Sequence, residues 1–169
     1  MTASAKIEVA GVKDAINQLR KIDPELQNQF KRDAKAIAQP AIDAGKAAYS
    51  VLDDQEHPFA LSGMSRKWTQ DGRKLFPFKL SRAKNGVVMK FDTRRNAVGV
   101  ISIMQKDVAT AVFETAGRVT SNKLGRQLGF VNSDQTRILK PAIEKDIAKV
   151  EREIEKIVKT AMRTVQKGL

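Results

Sequence analysis

Cysteine is absent from the chain, which excludes a disulfide framework, a thiol nucleophile and a thiolate metal site, and fits a reducing compartment. Histidine occurs once, at His57. Aromatic residues make up only 5% of the chain, so its core must be built mainly from aliphatic and alanine side chains. No segment approaches the roughly 20 apolar residues of a membrane span. The opening MTASAKIEVAG lacks the apolar run of a secretion signal, so the reading is a soluble protein of cytosolic origin with no membrane partner.

Acidic residues are few beside the basic ones. The formal net charge is +12 and the isoelectric point lies near 10.1, which points to a polyanionic partner and says nothing of the fold. The excess is localised. Residues 1–52 carry eight Lys and Arg against six Asp and Glu, whereas residues 62–95 carry ten against two. At 169 residues the chain predicts one domain, spanning 1–169, and at 41% hydrophobic it is not a disordered chain.

Along the chain, the alternation in Lys6-Ile7-Glu8-Val9 predicts a short strand ended by Gly11, and Val12 to Lys21 a short helix. Asp23-Pro24-Glu25 has the order of a helix start, with a capping carboxylate, a proline where its missing N–H costs nothing, and an acid at the positive end of the dipole. The helix it opens should reach Tyr49, with a thin alanine-rich surface and a kink before Pro40. Residues 51–75 have no period and predict a long interaction loop. Three strands are expected next, over Phe76–Ser81, Val87–Asp92 and Ala97–Met104, joined by an Asn85-Gly86 hairpin and a second turn at residues 93–96. Asp107 should cap a helix that Gly117 terminates, and residues 118–132 read as a second loop. Ser133 or Asp134 would cap the last helix, whose seam of Ile143, Ile147, Val150, Ile154, Ile157, Ala161 and Val165 exceeds what a small core requires and suggests contact with another chain. The expected fold is α+β: a small antiparallel sheet, a three-stranded meander that the N-terminal strand can join, packed with a long kinked N-terminal helix and a long C-terminal helix.

Catalytic chemistry has little support. Asp53, Asp54, Glu56 and His57 are the one dense group of candidate ligands, but they lie in a loop without metallohydrolase spacing, so no catalytic residue, metal or cofactor is expected. Gly125 and Gly129 flank RQL without the lysine of a phosphate-binding loop. The middle cations can neutralise phosphates, yet the chain has no helix-turn-helix, zinc finger or aromatic run to read bases, so contact with DNA would be sequence-independent. Trp68 is either a core ring or an interface anchor.

Three segments in order then carry a resemblance. They are Ser62-Gly63-Met64-Ser65-Arg66-Lys67-Trp68 after an alanine-rich helix, Ala111-Val112-Phe113-Glu114-Thr115-Ala116-Gly117 after the strands, and Arg137-Ile138-Leu139-Lys140-Pro141-Ala142-Ile143 opening the last helix. In this order the chain resembles the tail-completion, or tail-component, family of the head-to-tail connector of long-tailed double-stranded DNA bacteriophages, in the versions carried by phages of actinobacteria. The likeness extends from about Val12 to Met162 and departs from the family in Glu114-Thr115-Ala116-Gly117-Arg118 and in the longer last helix.

The resemblance implies a non-catalytic structural protein of the virion neck, assembled in the host cytoplasm. It would form a homo-oligomeric ring of six copies, stacked on connector or stopper and tail-terminator or tail-tube proteins, around a channel for packaged DNA. Candidate subunit or ring contacts are Leu61, Met64, Trp68, Phe113, Glu114 and Arg118; candidates facing the DNA channel are Arg66, Lys67, Arg73, Lys74, Arg94 and Arg95. The alternatives are a free sequence-independent double-stranded DNA-binding protein and the tail-terminator ring of the same neck.

Overall fold

The structure, a computed structural model, describes residues 3–52, 78–92, 94, 101–117, 129, 131–132 and 135–167. The expected 51–75 loop, the DDQEH cluster and most of 118–132 lie outside them.

The fold is α+β. β1 (Ser4–Ile7) leads into α1 (Val12–Ile22), and Asp23 then opens α2 (Pro24–Ala48), its Oδ1 accepting the Glu25 N–H at 2.8 Å. This is the expected cap. α2 stays helical on both sides of Pro40, which lies on its exposed side, while Phe30, Ala34, Ala38, Ala41, Ile42 and Gly45 form its buried stripe. The run of small residues there lets α5 (Leu139–Lys167) approach closely: a Cβ at Gly45 would stand 3.0 Å from Leu139 and 3.2 Å from Ile143.

Beyond a 3-10 turn at Tyr49–Leu52, the described chain resumes with α3 (Leu80–Asn85), β2 (Val87–Phe91), β3 (Ile101–Gln105) and α4 (Val108–Thr115). α3 corrects the expected first meander strand. Ser81-Arg82-Ala83-Lys84 contains no β-branched residue and three strong helix formers, and the helix buries Ala83 completely. Asn85-Gly86 is likewise a helix end, with Gly86 N–H donating to the Arg82 carbonyl at 2.8 Å, and makes no hairpin. Its glycine is required by a neighbour, since a Cβ on Gly86 would sit 1.8 Å from Oε1 of Gln105.

The third strand of the sheet is therefore β1. The order is β1-β3-β2, antiparallel throughout, with Ser4 opposite Met104 and Val87 opposite Gln105. Side chains alternate between faces. Ala5, Ile7, Val87, Ile101 and Ile103 enter the core with α1, α2 and α5.

The seam of α5 is used inside the chain. Leu139, Ile143, Val150, Ile154, Val158, Ala161 and Val165 are buried against α2, α1 and β1. Each such aliphatic side chain contributes about 1.5–3 kcal/mol when fully withdrawn from water. The length of the seam thus reflects a helix that lines the core from Leu139 to Val165, with Ile147 and Ile157 half-buried along its edges. The opposite face carries Lys156–Glu153 and Lys159–Glu155 ion pairs, which lower both glutamate pKa values through hydrogen bonds from the lysines.

Candidate functional site

The described residues converge on one buried polar junction, where α4 meets the start of α5. α4 begins as expected: Asp107 accepts the Thr110 N–H at 2.9 Å and its hydroxyl at 2.7 Å, and Gly117, at φ 91°, turns the chain away where an L side chain would be strained. Glu114 lies on the inner side of this helix and is fully buried. Its Oε1 accepts the Tyr49 hydroxyl at 2.6 Å and the Leu139 N–H at 3.0 Å, and its Oε2 accepts the Ile138 N–H at 2.9 Å.

Two of these donors are the N–H of Leu139, which opens α5, and that of Ile138 immediately before it, at a helix end whose N–H groups have no partner within their own helix. The expected local cap, Ser133 or Asp134, lies outside the described residues; α5 begins later, at Leu139. Its cap arrives from another helix, with Thr136 Oγ1 adding a local acceptor for the Lys140 N–H at 2.7 Å. A carboxylate at a helix N-terminus also opposes the positive end of the dipole.

Arg137 acts in the other direction. Its Nε donates to the Phe113 carbonyl at 3.0 Å and its terminal nitrogen to the carbonyls of Ala116 and of Gly129, the latter at 2.7 Å. The guanidinium also stands over the Phe113 ring, 5.9 Å from its centroid, and partial burial lowers its pKa. Burial, followed by the charge of Glu114, pushes the Tyr49 hydroxyl well above the ordinary tyrosine range. Beside them Gln105, 2% exposed, donates to the Ala83 carbonyl at 2.9 Å and accepts the Asp107 N–H at 2.8 Å.

The junction orders the fold. Glu114 has three donors on its carboxylate and no solvent access, so it has no route to a substrate. Among the described residues no group of three or more His, Cys, Asp or Glu is placed to hold a metal ion. Two open grooves lie elsewhere. One of about 650 Å³ is lined by Glu8, Glu151, Arg152, Glu155 and Lys159; one of about 220 Å³ is lined by Leu19, Leu26, Phe30, Ile157 and Ala161.

Of the candidate contact residues, Phe113 and Glu114 are brought together, but inside the subunit, where both are engaged with α5 and its approach. Leu61, Met64, Trp68 and Arg118 lie outside the described residues, as do Arg66, Lys67, Arg73, Lys74 and Arg95. Arg94 is exposed and chelates Asp92, its Nε lying 2.9 and 3.1 Å from the two carboxylate oxygens; these hydrogen bonds pull the Asp92 pKa down to about 2.

Sequence reasoning misses Tyr49, Gln105 and Arg137. One signal is present: Glu114 stands alone in VATAVFETA, an apolar helix without a cation, and a lone acid in such a segment needs donors from elsewhere. No family model, curated protein or solved structure significantly matches the chain.

Proposed function

We propose that the chain is a non-catalytic structural protein of a phage neck, forming a ring of six copies that joins the DNA-filled head to the tail tube and lets the duplex pass. The observation that carries this reading is that two of the three segments on which the family resemblance rests form a single joint. Ala111–Gly117 supplies Glu114 to the helix opened by Arg137–Ile143, and Arg137 returns to the carbonyls of Phe113 and Ala116. The acid, the left-handed glycine and the guanidinium are the residue types that such a joint requires.

Charge supports the same reading. The formal +12 and the cation-rich residues 62–95 suit a channel that screens phosphates without reading bases. On this reading subunit contacts come chiefly from the 51–75 and 118–132 segments, since Ile143, Val150, Ile154, Ala161 and Val165 of the α5 seam are buried within the chain.

The test is to purify the tailed particles whose genome encodes the chain, measure its stoichiometry by mass spectrometry and locate it by electron microscopy. Six copies at the head–tail joint are expected. Density at the far side of the joint, capping the tail, would reassign the ring as the terminator. Absence from infectious particles overturns the reading and leaves a free duplex-binding protein, with tight, salt-sensitive binding by the isolated monomer as its mark.

A further inference from the structure

The strand register lays a row of side chains across the outer face of the sheet. Lys6 on β1 stands opposite Ser102 on β3, and Ser102 stands opposite Lys90 on β2. The next row on that face is Ser4, Met104 and Val88, and none of these six residues belongs to the core. Both lysines are exposed and the serines, Met104 and Val88 half-buried, so cations flank a low floor of two serines, a methionine and a valine. With strands about 4.8 Å apart, the two lysine Cα atoms stand roughly 10 Å from each other.

Neither ammonium group is held in an ion pair among the described residues, whereas Arg32, Lys46, Arg94, Lys156 and Lys159 each pair with a carboxylate. Asp92, just past the end of β2, is hydrogen-bonded by Arg94 and also feels the charge of Lys90 at longer range.

We propose that this outer sheet face is a phosphate-contact surface for duplex DNA, with Lys6 and Lys90 neutralising phosphates on either side of Ser102. For the duplex being the packaged genome the proposal rests on the neck reading; the contact itself follows from register and charge. A second copy is the poorer occupant, because a chain at +12 brings like charge to a lysine-flanked face. An unpaired strand is also poorer, since none of the six side chains on the face is an aromatic ring on which a base could stack. The contact therefore ends at the backbone and carries no sequence preference.

The test is binding of a short random-sequence duplex to the purified chain over a range of NaCl concentrations. In the Lys6→Gln/Lys90→Gln variant the slope of log K against log salt should fall by about 1.8, roughly 0.9 for each phosphate left unneutralised, with the melting temperature unchanged. Lys6→Arg/Lys90→Arg should keep the parental slope, and so should Lys156→Gln/Lys159→Gln. An unchanged slope in the first variant, an equal fall in the α5 variant, or no duplex binding by the parent at low salt overturns the proposal. Particle composition decides the neck reading separately: a chain present in virions with an unchanged slope defeats only this face, and a reduced slope with a chain absent from virions defeats only the neck.

Discussion

Glu114 and Arg137 cap each other's helices. The carboxylate, projecting from α4, closes the N-terminus of α5, while the guanidinium, from the residue pair preceding α5, closes the C-terminal carbonyls of α4. Each charge meets the helix end of opposite polarity, so the electrostatic and hydrogen-bonding contributions act together. The arrangement also ties Ala116 to Arg137 and thereby fixes the two ends of the intervening segment beside each other.

Removing the carboxylate should be costly. Glu114→Ala leaves the Tyr49 hydroxyl and two N–H groups buried without their acceptor, and a loss of about 3 kcal/mol or more is expected from denaturant unfolding. Glu114→Gln retains one acceptor oxygen and should lose roughly 1–2 kcal/mol. A Glu114→Ala protein within about 1 kcal/mol of the parent would contradict a cap of this kind.

Gly86→Ala separates side-chain crowding from backbone conformation. Gly86 has φ −76°, which alanine adopts freely, so destabilisation must come from crowding: the new Cβ would stand 1.8 Å from Oε1 of Gln105 and 2.9 Å from the Arg82 carbonyl oxygen. Displacing the Gln105 amide breaks its bonds to Ala83 and Asp107, a loss of about 2–4 kcal/mol. In a double-mutant cycle with Gln105→Ala, a coupling above about 1 kcal/mol is expected; additive losses would show that the crowding lies elsewhere.

Tyr49 is the chain's single tyrosine, so tyrosinate absorbance reports on it alone. Its folded pKa is raised above the ordinary 10.0, first by burial and then by the charge of Glu114. The sign follows: the hydroxyl's contribution is complete below pH 10.0 and is lost as pH rises above it, because the unfolded chain ionises first. Absorbance should stay flat through the ordinary range and rise together with the loss of helix by circular dichroism. Titration near pH 10.0 with the helices intact would refute a buried Tyr49.

Asp92 should titrate at about 2 in a carboxyl-carbon NMR experiment, against 3.8 for an unperturbed aspartate. Its folded pKa is depressed, so the Arg94 interaction is complete above pH 3.8 and is lost as pH falls through about 2. In Arg94→Gln the midpoint should return towards the ordinary value; an unmoved midpoint would assign the shift to another cause.

Local chemistry explains which elements are legible from the sequence. Asp23-Pro24-Glu25 and Asp107 cap through atoms two or three residues away, and the α5 seam is a repeat within one helix, so each can be read in isolation. What escapes depends on distant partners. Leu80 fits both an alternating strand and the six-residue helix it actually opens, and the Asn85-Gly86 pair looks like a hairpin until Gln105 supplies another reason for its glycine. Local signals put the start of α5 too early because its cap, Glu114, lies 24 residues before the first N–H that it receives. For the same reason Glu114 and Phe113 read as surface contacts when their partners lie within the subunit.

The placement of β1 has a consequence for synthesis. Ser4 pairs with Met104, and both of the sheet's outer strands need β3 between them, so no two strands of this sheet can zip together until residues near 105 have left the ribosome. At roughly 5–20 residues per second, the first strand waits on the order of 5–20 s for its partner. During that interval α1 and α2 are the first described elements available to shelter it, and the nascent amino-terminal third stays open to chaperones and to mispairing between neighbouring chains.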